Sequence, residues 1–286
     1  MATAVGLLLT TLVKRGFLAA LALSALWAAP NADEIVKKSV ANTMADWHRA
    51  PEYNFTERDL TQTGEGTRTS RVMMIDGSPY YELIARNGKP LPPEQAAEEE
   101  QRLKQEIARR QHETPPQRRR RIAAYQQQRR QDEALMRSMA TAFDFRLTGE
   151  ETVDGHRCFV LVSTPKPGYR PTRRETRVLK GMRGKMWIDE SAYQWVKVQA
   201  EVFRPVAFGL FIAHVEPGTQ FTLEQQPVSG NVWLPSHFSM RVRARVLRFW
   251  SHNSNDDETY WNYRPASEAE TGATGPPRPT VARAPR

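Results

Sequence analysis

The sequence predicts an α+β fold in which helices cover the apolar face of one curved antiparallel sheet. Apolar residues recur at helical spacing in residues 33–48, whereas residues 52–89 and 143–263 alternate between apolar and polar side chains. Between the two β-rich regions, residues 93–142 form a strongly helix-forming insertion. Because a sheet with one apolar face must cover it, we expect the N-terminal helix and the end of the insertion to lie over that face.

Residues 1–32 are typical of a secretory signal peptide. Lys14 and Arg15 precede an apolar run at residues 16–29, and small residues follow before the polar sequence starts. The apolar run is shorter than the roughly 20 residues that span a bilayer. An uncleaved N-terminal anchor is the alternative interpretation. We therefore expect an exported, periplasmic protein that is either released from this segment or tethered by it.

The first helix is predicted over residues 33–48, and short strands are predicted over residues 52–89. Asp-Gly and Asn-Gly pairs within the second region favour tight turns between antiparallel strands. The helical spacing of the first region is carried by Ile35, Val36, Val40 and Met44.

The insertion at residues 93–142 is polar nearly all round, and Pro115-Pro116 are predicted to break it into two arms. Its apolar patch lies near its end and consists of Leu135, Met136 and Met139. Three arginines of the second arm share a broad helical face. This face is interpreted as a solvated surface or as a contact surface for anionic lipid headgroups. The basic candidates are Arg118, Arg121 and Arg129.

Residues 143–263 are predicted to form a series of hairpins. One hairpin turns near residues 190–191, and Val196 and Val198 are expected on the same face of its second strand because Lys197 separates them. A later strand alternates apolar residues with arginines, so we expect an apolar face and a basic stripe. The apolar members include Phe238, Met240 and Val242, and the stripe consists of Arg241, Arg243 and Arg245.

Two features near the C-terminus are predicted to lie outside the sheet. The acidic residues Asp256, Asp257 and Glu258 are interpreted as a solvated turn before the last strand, with a cation site as the alternative. Residues 264–286 are rich in Pro, Ala, Gly, Thr and Arg. Such a composition buries too little apolar surface to offset the entropy of ordering, so this tail is predicted to be disordered.

The sequence contains no pattern typical of an enzyme, a metal site or a cofactor site. Its six histidines form neither an H-x-x-x-H pair nor a cluster with cysteine, and neither a nucleophile elbow nor a phosphate-binding glycine loop occurs. The single cysteine, Cys158, excludes an intramolecular disulfide and is expected in the core. The net charge of +9 favours a polyanionic partner, which for an exported protein is a membrane surface or an envelope polymer rather than nucleic acid.

Part of the apolar sheet face is interpreted as the lining of a cavity for an acyl chain or another apolar ligand. Half-barrels and barrels commonly hold ligands in this way. The alternative interpretation is that the same residues fill a core. The cavity candidates are Met186, Ile188, Val196, Val198, Phe211, Phe221, Phe238, Met240 and Val242.

The hairpin GKMWIDESAYQWVKVQAEV resembles the LolA/LolB-type lipoprotein-localisation superfamily. Trp187 and Asp189 precede the turn, and Val196-Lys197-Val198 follow it. Together with the order of elements, the resemblance extends roughly over residues 33–263. It implies an incomplete, strongly curved antiparallel barrel whose concave face is plugged by helices. It also implies a cavity that receives the acyl chains of lipoproteins, in a carrier or acceptor that performs no chemistry.

The chain departs from that family pattern in two ways, and two functional hypotheses are compatible with its sequence. The chain lacks the processing-site cysteine of LolB-type lipoproteins, and its insertion is longer and more charged than a simple lid requires. The first hypothesis is a periplasmic module that binds acyl chains of lipids or lipoproteins. The alternative is an envelope interaction or sensory protein with a filled core, whose basic insertion or arginine stripe docks on a partner protein or an anionic membrane.

Overall fold

A computed structural model describes residues 31–60, 66–173, 175–208, 213–246 and 250–266. The helices are α1 (Ala32–Arg49), α2 (Pro93–Gln111) and α3 (Pro115–Ala142), with short 3-10 helices at Ala50–Glu52, Glu175–Gly181 and Ser229–Asn231. The strands are β1 (Tyr53–Leu60), β2 (Thr67–Ile75), β3 (Ser78–Arg86), β4 (Lys89–Pro90), β5 (Phe143–Val153), β6 (His156–Pro165), β7 (Met182–Asp189), β8 (Trp195–Val202), β9 (Val206–Phe208), β10 (Ala213–Val215), β11 (Gln220–Pro227), β12 (Trp233–Val246) and β13 (Trp250–Pro265).

Within the described residues, all thirteen strands belong to one antiparallel sheet. The main path runs β4-β3-β2-β1-β13-β12-β11-β8-β7-β6-β5, and the hairpin of β9 and β10 attaches to β12. The outermost strands β4 and β5 do not pair with each other, so the curved sheet stays open. The predicted α+β fold with a curved antiparallel sheet and accompanying helices is thereby confirmed. In the described residues no helix combines the length and the apolar character needed to cross a membrane.

One sheet face, which we call the inner face, carries the larger core cluster and the helix α1. Ile35 and Val36 of α1 are buried there against strands β6, β7 and β8. From the end of α3, Met136 and Met139 pack against the same cluster, whereas Leu135 is partly exposed. The strand residues of the cluster are Phe159, Leu161, Met186, Ile188, Trp195 and Val198.

The opposite sheet face, the outer face, carries a second cluster that contains the single cysteine. Cys158 and Trp187 pack there with Val196. Val196 reaches this face because a β-bulge interrupts the pairing of β7 with β8. Trp187 lies opposite Lys197 and Ile188 lies opposite Trp195, which leaves Val196 as the extra residue. Strict alternation put Val196 and Val198 on one face. This was wrong, since the bulge turns Val196 to the outer face.

Buried hydrogen bonds between polar groups fix α1 on the sheet. The Asp46 carboxylate accepts from the backbone N–H of Trp233 at 2.8 Å and from Nε2 of Gln194 at 2.6 Å. Nε1 of Trp195 donates to Ser39 Oγ at 3.2 Å. Each of these groups is buried, so the hydrogen bonds offset the loss of water. They determine where α1 sits along β8 and β12.

The two arms of the insertion meet at residues 112–114 rather than at the prolines. Pro115 opens α3, a position at which its missing N–H costs no helical hydrogen bond. Thr114 and Gln117 form a capping box, and the backbone N–H of Thr114 donates to Gln117 Oε1 at 2.9 Å. The predicted break is therefore displaced by a few residues, because proline favours the first turn of a helix.

Candidate functional site

Three of the cavity candidates lie in a closed core. Met186, Ile188 and Val198 are 5%, 0% and 4% exposed and contact α1 and one another in the inner-face cluster. Val196 lies on the outer face, as described above, and Phe211 lies outside the described residues. The inner face is therefore filled where β6, β7 and β8 meet α1.

Four other candidates form a continuous half-exposed surface, which we call the apolar strip. Its members share the inner face, and the ring centroids of Phe221 and Phe238 lie 5.6 Å apart in an edge-to-face arrangement. Phe221 packs against the filled core and lies directly opposite Met240. The strip thus extends the core across β11 and β12. It consists of Phe221, Phe238, Met240 and Val242.

A row of carboxylates borders the apolar strip, and sequence analysis missed it. Asp256 of β13 lies opposite Met240, and Glu258 lies opposite Phe238. The row continues on β1, where Asp59 lies opposite Glu258. The expected solvated turn at residues 256–258 was wrong, because β13 runs through these residues between β12 and β1. We call Glu57, Asp59, Asp256 and Glu258 the carboxylate row.

Desolvation dominates the electrostatics of three members of the carboxylate row, Glu57, Asp59 and Glu258. It raises the pKa of Glu57 to about 7, with smaller contributions from the charges of Glu258 and Asp59. Desolvation likewise raises the pKa of Asp59 and that of Glu258, although the Tyr260 hydroxyl donates a hydrogen bond to Glu258. All four carboxylates are only half-buried. Desolvation therefore acts on Glu57, Asp59 and Glu258 although their side chains are partly exposed.

Tyr81 of β3 lies on the same sheet face, opposite Val72 of β2. Its side chain is 54% exposed, yet desolvation, followed by the charge of Glu57, raises the pKa of its phenol to about 12. The neighbouring phenol of Tyr260 also has a raised pKa, again chiefly through desolvation. Aromatic rings and carboxylates therefore line the inner face beyond the apolar strip.

Two of the basic candidates on the insertion are engaged within the protein. Arg121 donates to the Glu113 carboxylate at 2.7 Å and to Ser78 Oγ at 2.7 Å. The Arg129 guanidinium stacks on the Trp47 ring at 4.4 Å and donates to the Trp47 carbonyl. Arg118 is exposed and lies 3.5 Å from Asp76. The three arginines consequently do not form one basic surface.

A further arginine of the insertion, Arg110, was not predicted to have a role. Its side chain is only 5% exposed and donates to the carbonyls of Ile75 and Ser78 at 2.7 and 2.8 Å, and to that of Pro79 at 3.2 Å. Nε of Arg110 donates to Glu106 at 2.6 Å. Arg110 and Arg121 together hold the insertion on the turn between β2 and β3. Nothing in the local sequence distinguishes them from their exposed neighbours.

The predicted arginine stripe lies on the outer face of β12. Arg241, Arg243 and Arg245 are all exposed. Arg241 lies opposite Asn255 of β13, and Arg245 lies 3.8 Å from Glu216. The stripe and the apolar strip therefore occupy opposite faces of the same strand. Within the described part of the chain, no group of His, Cys, Asp and Glu side chains has the geometry of a metal site.

Asp189, from the hairpin that carries the family resemblance, closes its own turn. The carboxylate accepts from the backbone N–H groups of Ser191 and Ala192 at 2.9 and 2.7 Å, and it lies 3.0 Å from Nδ1 of His156. Burial alone would raise the pKa of Asp189, but these hydrogen bonds outweigh it and lower the pKa. Turn geometry therefore accounts for the aspartate of the W-x-D pattern, whereas Trp187 packs in the outer-face cluster.

Known proteins resemble the chain in structure, whereas no family model and no curated protein matches its sequence. One similar structure is a Vibrio parahaemolyticus domain assigned provisionally to outer membrane lipoprotein sorting, with 10% identity, 80% and 92% of the two chains covered and a TM-score of 0.31. A second is a LolA superfamily protein from Nitrosomonas europaea, with 12% identity, 82% and 94% coverage and a TM-score of 0.29.

A third similar structure is a DUF1329 family protein from Desulfovibrio piger, with 13% identity, 84% and 98% coverage and a TM-score of 0.30. The resemblance inferred from residues 33–263 agrees with these matches, which include the LolA superfamily. Because the TM-scores are below 0.5, the function proposed below is argued from the sequence, contacts and charges of this chain.

Proposed function

We propose that this protein is a non-enzymatic, exported binding protein that holds an acyl chain or a similar apolar ligand on the inner face of a half-barrel. The observation that carries the proposal is the apolar strip, which is continuous with the filled core but half-exposed. Apolar side chains on a sheet face gain about 25 cal/mol for each Å² removed from water. An alkyl chain lying along β12 would supply that cover.

The helices are proposed to lie over the concave side of the sheet and to border the ligand. Support comes from α1, whose Ile35 and Val36 pack on the inner face, and from α3, whose Met136 and Met139 do the same. Leu135 of α3 is 36% exposed, whereas Met136 and Met139 are partly buried against the inner-face cluster. An apolar side chain in that position would contact a ligand that extends beyond the core.

A periplasmic location and a carrier-like role complete the proposal. The signal-like pattern of residues 1–32 and the resemblance of residues 33–263 support them. The alternative function, docking through the basic insertion, has less support because Arg121 and Arg129 are engaged internally. Of the basic candidates in the described residues, the arginine stripe and Arg118 are exposed, and docking through the stripe would leave the apolar strip accessible.

A neutral fluorescent probe tests the proposed function. We expect N-phenyl-1-naphthylamine to bind the purified protein with a rise in fluorescence. Met240→Asn should weaken binding by about tenfold, because it removes apolar surface worth about 1.4 kcal/mol. Ser239→Asn is the matched control, since Ser239 lies on the outer face opposite Asp257.

The outcome is read from the fluorescence titrations of the three proteins. Unchanged affinity in Ser239→Asn, together with weakened binding in Met240→Asn, would support the strip as the site. Absence of binding to the unsubstituted protein, or equal affinities of both variants, would contradict the proposed function.

A further inference from the structure

The apolar strip is an unpartnered sheet face whose neighbouring strand is negatively charged. On β12 the strip residues Phe238 and Met240 lie directly opposite Glu258 and Asp256 of β13. Directly opposite side chains of an antiparallel pair lie close enough to contact the same small ligand, at about 5 Å between Cβ atoms. Any ligand that covers the strip therefore lies beside at least two carboxylates.

The carboxylate row is poorly compensated within the described part of the protein. Asp59 and Glu258 lie directly opposite each other on β1 and β13, an arrangement of like charges that destabilises a sheet. None of the four carboxylates takes part in a salt bridge among the described residues. Arg68, opposite Asp59 on β2, lowers the pKa of Asp59 but does not offset the desolvation. Contacts within the described part of the fold therefore do not explain why the four carboxylates of the row lie together.

Charge complementarity identifies the occupant that fits both surfaces. We propose that the ligand of the apolar strip is a cationic amphiphile, in which an alkyl chain covers the strip and an amine or quaternary ammonium group lies against Glu258, Asp256 and Asp59. Tyr260 lies directly opposite Glu57, and Tyr81 lies opposite Val72 on the same sheet face, so aromatic rings that can attract such a cation stand near the row. This inference rests on the proposed function and specifies the ligand class.

The competing ligand classes are disfavoured by the same geometry. An acyl chain with a free carboxylate would bring a further negative charge beside a half-buried carboxylate pair, which costs free energy in a medium less polar than water. A neutral headgroup would neither offset nor increase the negative charge of the carboxylate row. We therefore expect an affinity order of cationic, then neutral, then anionic amphiphile at constant chain length.

Three dodecyl amphiphiles test the inference by isothermal titration at pH 8 and low salt, each below its micelle concentration. Dodecyltrimethylammonium is expected to bind about tenfold more tightly than dodecyl maltoside, which corresponds to one favourable ion contact in a partly buried site. Dodecyl sulfate is expected to bind more weakly than dodecyl maltoside. Raising the salt concentration should reduce the difference among the three.

A double substitution separates the headgroup site from the chain site. Asp256→Asn with Glu258→Gln should abolish the preference for the cation and leave the affinity for dodecyl maltoside unchanged. Asp257→Asn is the matched control, because Asp257 lies on the outer face, 3.1 Å from Nε2 of His237. The double variant is expected to fold, since it removes repulsion and desolvation, and its thermal midpoint verifies this.

The possible outcomes distinguish the inference from the function on which it rests. Binding of all three amphiphiles without charge preference, or a preference that the double variant retains, would overturn the inference and leave the proposed function standing. Failure of every amphiphile to bind would overturn both. The expected order, lost in the double variant and kept in Asp257→Asn, supports both.

Discussion

Replacing Trp195 by alanine is expected to lower the free energy of unfolding by about 3–5 kcal/mol. Trp195 is 2% exposed and belongs to the inner-face cluster between α1 and β7. Its indole N–H donates to the fully buried Ser39, whose hydroxyl also donates to the Val36 carbonyl, so the substitution leaves a large cavity and removes one of the two hydrogen bonds of that hydroxyl. Urea unfolding monitored by circular dichroism measures the change.

Two control substitutions separate the cavity from the hydrogen bond in that experiment. Trp195→Phe retains most of the ring volume, so about 1–2 kcal/mol of destabilisation is expected from the lost N–H donor and the smaller ring. Phe203→Ala removes an aromatic ring that is 40% exposed, and about 1 kcal/mol or less is expected. Equal losses for Trp195→Ala and Phe203→Ala would refute the packing of α1 on the sheet.

Substituting Glu57 by glutamine is expected to stabilise the protein above pH 7 and to leave it unchanged below about pH 4.5. Because the pKa of Glu57 is raised to about 7, the folded protein holds this proton more tightly than the unfolded chain. The unsubstituted protein therefore loses stability as the pH rises from about 4.5 to 7. Glutamine removes that loss, which we expect to amount to about 2 kcal/mol after allowance for solvent screening.

Urea unfolding at pH 4.5, 6 and 8 measures the difference between Glu57→Gln and the unsubstituted protein. Glu94→Gln, at an exposed position in the first turn of α2, provides the control for a general loss of negative charge. A constant difference across this pH range, or a similar pH dependence in Glu94→Gln, would show that Glu57 is not desolvated.

The periodic parts of the fold could be predicted from sequence because their signals are local. Helical spacing predicted residues 33–48 as a helix, and the structure has α1 at Ala32–Arg49. Two-residue alternation predicted the antiparallel strands, and the apolar end of the insertion identified Met136 and Met139 as packing residues. Each of these predictions depends on residues within a few positions of one another.

Features that depend on distant pairing were not accessible to the same reasoning. The bulge at Val196 exists because two residues of β8 share one partner on β7, and alternation within β8 does not reveal it. Residues 256–258 have poor strand propensity but lie in β13, because β12 and β1 pair with it on both sides. The carboxylate row consequently became visible only once β1 and β13 were adjacent.

The arginines of the insertion illustrate the same limit for the candidate site. Arg110, Arg118 and Arg121 stand in similar polar helical sequence, yet Arg110 is buried and Arg118 is exposed. The turn between β2 and β3, which lies more than thirty residues earlier in the chain, decides between them. Separation of the cavity candidates into filled core and open strip likewise depends on where α1 sits.

Residue-level photo-crosslinking tests the central claim, that the inner face of β11 and β12 binds an alkyl chain. The reagent is a neutral alkyl glycoside with a diazirine in its chain, and mass spectrometry of the irradiated complex locates the label. We expect labels on Phe221, Phe238, Met240 and Val242 that excess dodecyl maltoside displaces. Labels confined to outer-face residues such as Arg241 and Arg243, or labels that the competitor does not displace, would contradict the claim.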